Sequence, residues 1–183
     1  MRAFFRQYSY SIIKMFVNQF AISIFGAVLA LATAAAKNDA LTIGISIFSA
    51  VFYLFLIYTM TWEIGAKDRI SVDCGKKEYR PNTGLLLSLV ANIPNLVIAG
   101  LFTVAAPFMQ TERWAGSLNA VLISIAVFVE GMYLGIISRL QHEWWAYFVI
   151  VIPTLLVAWF SYFMGFKNKR FVAGYFDKNN KRA

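Results

Sequence analysis

Residues 40–62 read ALTIGISIFSAVFYLFLIYTMTW and contain no charged side chain. A helix needs about 20 consecutive apolar residues to cross the roughly 30 Å of hydrocarbon in a bilayer. This run is long enough to do so. It therefore predicts a membrane-spanning helix and decides the fold class of the chain.

Four further apolar segments follow the same pattern. The five segments cover residues 12–36, 41–62, 84–109, 116–138 and 145–166. Hydrophobic residues make up 60% of the 183-residue chain and charged residues 14%, against about 45–50% and about 25% in soluble domains. The polar remainder, mainly a basic loop at 63–83 and a basic tail at 167–183, is too short to form a second core. We predict one all-α domain over 1–183, a polytopic membrane protein with four to five transmembrane helices.

The lysines and arginines indicate how the chain is threaded, because they concentrate on the cytoplasmic side of a membrane. If all five segments cross, the 17 basic residues divide 9 to 8, which gives no preference. If segment 116–138 does not cross, the division is 14 to 3, and it is 15 to 2 if 84–109 or 145–166 fails to cross. We therefore expect both termini in the cytoplasm of a cell-membrane protein. We expect 116–138 to be the re-entrant or interfacial segment, because it alone contains an acid and because Gly131 and Gly135 weaken its helix.

The third apolar segment contains a cluster of polar residues and a proline, namely Asn92, Pro94 and Asn95. Pro94 lacks an N–H and disturbs the helix at the carbonyl four residues earlier. Broken helices near the middle of the membrane form ligand sites in transporters, although a kink packed against neighbouring helices has the same sequence pattern. The three residues are candidate ligand or ion-binding residues.

Glu130 is the only acid in the five apolar segments. An acid at the centre of a bilayer costs about 2.5–3.5 kcal/mol on insertion scales and marks a functional site by default. No lysine or arginine lies in a neighbouring charge-free run, so we expect a neutral Glu130 that bonds to Asn92 or Asn95 or carries a proton. In a re-entrant segment it would instead reach interfacial water.

Small residues recur every four positions on the first segment, at Gly26, Ala30 and Ala34. Small side chains at this spacing let two membrane helices approach closely. The stripe predicts a packing face, against either another helix of the chain or a partner protein.

The basic tail begins with Lys167, Lys169 and Arg170, which follow the last apolar segment directly. Basic residues just inside a membrane bind anionic lipid headgroups, each contributing about 1 kcal/mol. Binding to anionic lipid therefore explains the net charge of +8 without a nucleic-acid partner.

The loop at 63–83 offers a second surface outside the membrane. Glu63 and Lys67 are four residues apart, which predicts a helical extension of the second segment into the loop. The loop is a solvated connector or a docking site for a partner, such as other membrane subunits or a cytoplasmic ATPase.

The sequence contains no phosphate-binding loop, no nucleophile elbow and no zinc-protease motif. A single histidine makes a zinc site unfavourable. We predict no catalytic residue, no metal and no cofactor.

Three short motifs, at residues 62–65 (WEIG), 91–95 (ANIPN) and 165–167 (GFK), make the chain similar to small uncharacterised multi-pass membrane proteins of Gram-positive bacteria. This resemblance implies a helical membrane fold, and it implies no activity.

Three functions fit these observations. The first is a non-enzymatic transporter component or membrane-complex subunit, which we favour. The second is a membrane-embedded enzyme acting on a lipid-linked substrate, for which only Glu130, His142 and Glu143 offer chemistry. The third is a lipid-binding structural protein.

Overall fold

The computed structural model describes residues 2–35, 38–108, 113–140 and 143–169, and no β-strand occurs among them. Two long helices come first, α1 (Arg2–Ala35) and α2 (Asp39–Asp73). Shorter helices complete the bundle: α3 (Thr83–Ala91), α4 (Ile93–Ala105), α5 (Arg113–Glu130), α6 (Leu134–Arg139), α7 (Ala146–Val149) and α8 (Val151–Phe166). The helix α2 continues past the apolar run to Asp73, as the spacing of Glu63 and Lys67 predicted, and those two side chains pair at 2.6 Å.

Within the described residues, four helical stretches are long and apolar enough to cross a bilayer. They are Phe4–Thr33, Ala40–Asp73, Trp114–Arg139 and Ala146–Phe166. A fifth crossing is added if Thr83–Ala91 and Ile93–Phe108, between which the chain bends by 58°, form one broken span. This confirms the prediction of a polytopic helical protein with four to five membrane helices.

The sharp bend lies in the third apolar segment, whereas the sequence led us to expect the irregular path in 116–138. Asn92 ends α3, and Pro94 stands in the first turn of α4, where its missing N–H costs little. In contrast, Trp114–Arg139 contains only a short 3₁₀ turn at Gly131–Tyr133. The proline-containing break therefore bends the chain more than the glycines of the following segment do.

One end of the bundle gathers the start of α1 and the ends of α2 and α8. Tyr8 and Tyr162 both donate hydrogen bonds to Asp68, at 2.5 and 2.8 Å. The start of α3 lies at the same end, because a Cβ on Gly84 would lie 2.5 Å from the Cβ of Tyr162. We call this the polar end.

The opposite end brings α6 beside the start of α2. The backbone N–H of Gly135 donates a 2.8 Å hydrogen bond to the Ser46 hydroxyl. Because α3 begins at the polar end and α6 lies at the opposite end, the chain from α3 to α6 traverses the bundle once in net. The helix α8 then returns to the polar end.

Glycine allows α2 and α8 to touch through their backbones. A Cβ on Gly165 would lie 2.1 Å from the carbonyl oxygen of Trp62, and one on Gly65 would lie 2.2 Å from that of Tyr162. The buried hydroxyls of Thr61 and Ser161 also share a hydrogen bond across this contact. Close backbone approach of this kind maximises van der Waals packing where the solvent is lipid.

Candidate functional site

A break in the fourth apolar segment positions the most unusual side chain of the protein. The helix α5 ends at Glu130, and a 3₁₀ turn at Gly131–Tyr133 joins it to α6. In a regular helix the carbonyl of Val129 would accept from the amide four residues later. Here the side chains of Gln19 and Ser23 on α1 donate to that carbonyl, at 3.2 and 2.6 Å.

Gly131 lets this turn press directly against α1. A Cβ at Gly131 would lie 2.5 Å from the carbonyl oxygen of Ser23 and 2.8 Å from the Cβ of Ala27. One turn further along α1, a Cβ at Gly26 would lie 2.6 Å from the Cα of Met132. The turn therefore packs on α1 at a distance that larger residues would prevent.

Part of the predicted small-residue stripe thus faces the turn. Gly26 lies against Met132 of the turn, and Ala30 is buried in the bundle. The side chain of Ala34 lies outside the described residues.

The Glu130 side chain is almost completely buried, with 1% of its surface exposed. Neither of its carboxyl oxygens has a hydrogen-bond partner among the described residues. The carboxyl borders a small, largely apolar pocket, which we call the Glu130 pocket. Its other lining residues are Ile123, Ala126, Val127, Leu134, Ile137 and Tyr147.

Two tyrosines stand close enough to Glu130 to interact with it electrostatically, Tyr133 in the turn and Tyr147 in α7. Tyr147 is also stacked on Phe102 of α4, with ring centroids 4.1 Å apart. The turn, α4 and α7 therefore enclose the carboxyl together with α5.

The polar residues at the α3–α4 break bond among themselves. The Asn95 amide donates to the Asn92 side-chain oxygen at 2.9 Å, and the Asn92 amide donates to the Ser88 carbonyl at 2.8 Å. The side-chain oxygen of Asn95 is buried without a partner among the described residues. The hydrogen bond that we expected from Asn92 or Asn95 to Glu130 is not formed, since neither carboxyl oxygen has a partner among the described residues; both amides bond locally instead.

Comparison of the chain with family models, with curated proteins and with solved structures gave no match. The resemblance to small multi-pass proteins of Gram-positive bacteria stays a prediction. The chemistry of the site must therefore be read from its own residues.

Within the described part of the chain, no three His, Cys, Asp or Glu residues come close enough together to hold a metal ion. His142, one of the three residues considered for an enzyme, lies outside that part. Glu143 is exposed.

The sequence did not reveal the second buried acid, Asp68. It is 5% exposed, although it stands in the charged stretch that follows the second apolar segment. Besides Tyr8 and Tyr162 it contacts Lys77, whose Nζ lies 2.7 Å from Asp68 Oδ1 and also bonds to the Tyr8 hydroxyl. Burial, together with the nearby charge of Arg80, lowers the pKa of Lys77 to about 8.

The predicted headgroup residues lie beside the end of α8. The Lys167 ammonium sits 4.1 Å from the centroid of the Phe163 ring, and the Trp62 indole donates to the Lys169 carbonyl at 2.9 Å. Arg170 is outside the described residues. Lipid contact by these three residues stays a prediction.

Proposed function

We propose that this chain is a non-enzymatic membrane protein, a transporter component or a subunit of a larger membrane complex, in which Glu130 is the functional group. The observation that carries the proposal is a buried carboxyl with no hydrogen-bond partner among the described residues. Leaving a polar group unpaired in an apolar interior is costly. Such a group is retained where it does something other than stabilise the fold.

The surroundings of Glu130 support a binding role over a catalytic one. A catalytic carboxyl usually stands near a nucleophile, a metal or a second acid. The side chains that line the Glu130 pocket are alkyl except for Tyr147. Glu143, the other acid of the enzyme hypothesis, lies on the surface in the connection before α7.

We further propose that both termini and the loop at 63–83 are cytoplasmic, and that the bent segment 83–108 enters and leaves the membrane on that same side. Three observations support this arrangement. Trp114–Arg139 is long and apolar enough to cross as one stretch, whereas 83–108 is bent by 58°. The starts of α1 and α3 and the ends of α2 and α8 share the polar end. With 83–108 returning to its own side, 15 of the 17 lysines and arginines lie on the cytoplasmic face.

A vesicle assay tests the proposed function. Membrane vesicles are prepared from the organism that encodes the chain, so that any partner subunits are present, with the wild-type or the Glu130→Gln protein. They are incubated with a defined mixture of amino acids, nucleosides, sugars, vitamins and inorganic ions, and uptake is followed by mass spectrometry. We expect uptake of at least one solute to be lost in E130Q.

The matched control is Glu143→Gln, which removes an exposed acid close to α7 and should leave uptake unchanged. Lipids are extracted from the same vesicles. A lipid product that disappears in E130Q while every solute is taken up normally would favour the lipid-linked enzyme instead.

A further inference from the structure

The chemistry of the Glu130 pocket restricts the ligands that fit it. We infer that Glu130 binds a proton, which its carboxyl takes up and releases when the turn at Gly131–Tyr133 moves away from α1. The inference rests on the function proposed above, because it names the ligand of the same residue.

Metal cations do not fit this pocket. Ca²⁺ takes about six to eight oxygen ligands, and Mg²⁺ keeps several waters when it binds few protein groups. The pocket offers the Glu130 carboxyl and the Tyr147 phenol, and otherwise the alkyl side chains of its lining. A proton needs only one carboxylate oxygen.

The pocket is also too small for an organic cation. Sites for drug-sized ligands enclose about 300–1,000 Å³, whereas the cavity beside Glu130 has a volume of about 10 Å³. A proton forms one O–H bond and adds almost no volume, so it fits without repacking the bundle.

The groups that face Glu130 favour its neutral form. From its own segment and from α7 they are the phenols of Tyr133 and Tyr147. The side chains that α1 brings to the turn are Gln19 and Ser23, which carry no charge, and α4 contributes Phe102 behind Tyr147. Among the described residues these groups include no cation, so a proton on the carboxyl removes a charge that none of them offsets.

The turn next to Glu130 gives the proton a route to water. A short 3₁₀ stretch within a helix often marks a functional hinge. Gln19 and Ser23 hold this stretch against α1 through the Val129 carbonyl. Once both hydrogen bonds to α1 break, the turn can shift relative to α4 and α7, which enclose the carboxyl with it. This shift opens a path along which the O–H bond can break and the proton can leave to solvent.

Infrared difference spectroscopy tests the inference on the full-length protein in lipid nanodiscs. Spectra are recorded over a pH series for the wild type, Glu130→Gln and Glu143→Gln. We expect a carbonyl band of a protonated carboxyl that decreases as the pH rises, is retained in E143Q and is lost in E130Q.

A second preparation needs no substitution. Wild-type protein treated with dicyclohexylcarbodiimide, which adds to a protonated carboxyl and rearranges to an N-acylurea without loss of atoms, should lose the same band.

Two results would overturn the inference. One is that the wild-type spectrum contains no carboxyl band that both decreases as the pH rises and is lost after carbodiimide treatment. The other is a band that disappears at constant pH when sodium chloride replaces choline chloride, because a metal cation would then compete for the site. These spectra do not depend on solute uptake, so loss of uptake in E130Q without a titrating band would reject the proton and leave the proposed function standing. A titrating band together with normal uptake in E130Q would support the proton at Glu130 and reject the proposed function.

Discussion

The Tyr162 hydroxyl donates a 2.8 Å hydrogen bond to Asp68 and so ties the end of α8 to the end of α2. Tyr8 of α1 and Lys77 of the following loop bind the same carboxylate. Four separate parts of the chain therefore meet on one buried acid, at the polar end of the bundle.

Replacing this acid should destabilise the protein. Asp68→Asn preserves the size of the side chain but leaves the half-buried Lys77 without its counter-charge. We expect a loss of about 1–3 kcal/mol, the cost of leaving one polar group unsatisfied, measured by thermal unfolding in nanodiscs. The control is Asp73→Asn, whose partner Arg69 lies 3.6 Å away on the surface, and which should change stability by less than about 1 kcal/mol. Equal effects in the two variants would show that the Asp68 cluster does not stabilise the bundle.

Lys77 should make stability depend on alkaline pH. Its pKa is about 8 in the folded protein and 10.5 without the fold. Between these two values the unfolded state binds more protons, so the contribution of Lys77 to stability rises as the pH rises through this range. The unfolding midpoint of the wild type relative to Lys77→Met should therefore increase from pH 8 to pH 10.5. A difference that falls over the same range would mean that the pKa of Lys77 is raised by its contacts.

The contact between α2 and α8 should be sensitive to a single methyl group. In Gly165→Ala the new Cβ would lie 2.1 Å from the Trp62 carbonyl oxygen, so one of the two backbones must shift. We expect a cost of about 1–3 kcal/mol, as for other overpacked sites. Gly44→Ala is the matched control, because no atom lies within 4 Å of its new Cβ. It should be neutral or stabilising, since alanine favours a helix over glycine by about 1 kcal/mol. A stable G165A protein and an unstable G44A protein would contradict this packing.

Glu130 should reduce the stability of the fold. Glu130→Leu replaces an unpartnered buried acid by an apolar side chain in an apolar pocket, and we expect it to stabilise the protein by about 1–3 kcal/mol. Glu130→Gln keeps a polar group there and should stabilise it less. Thermal unfolding of the two variants beside the wild type measures the difference. Destabilisation by leucine but not by glutamine would indicate a polar partner for Glu130.

Cysteine accessibility in intact cells should show the proposed topology. In a Cys74→Ser background, single cysteines replace Lys37, Lys76, Arg113 and His142, and a fifth replaces Asn180. We expect reagent from outside to label positions 37 and 142 and to leave 76, 113 and 180 protected. Labelling at 113 would mean that 83–108 crosses the membrane and that 116–138 returns to its own side. Labelling at 180 would place the tail outside.

The sequence was sufficient to predict the class of fold, because crossing a bilayer depends on local composition. The charge-free run 40–62 became the central part of α2, and the helical extension followed from Glu63 and Lys67. A local break was likewise readable from Asn92 and Pro94, although its effect on the path of the chain was underestimated.

The pairing of side chains that are far apart in the sequence was not readable from it. Asp68 is separated from Tyr8 by 60 residues and from Tyr162 by 94, and its own neighbours in sequence suggest a solvated acid. The bond expected between Glu130 and the asparagines is absent for a different reason, since both amides bond to groups within four residues. Burial of Glu130 itself could be anticipated, because the acid stands inside an apolar run.

The two side chains that hold the Val129 carbonyl determine how often Glu130 can exchange with water. Two hydrogen bonds at about 0.5–1.5 kcal/mol each amount to about 1–3 kcal/mol. Because each 1.4 kcal/mol is about a factor of ten, these two bonds alone would hold the open form to between roughly one molecule in six and about one in 150. The packing of Gly131 and Met132 on α1 lowers this population further. Substitutions at Gln19 or Ser23 would therefore act on the rate and the apparent affinity of exchange through this minor population, without any contact between those residues and the proton.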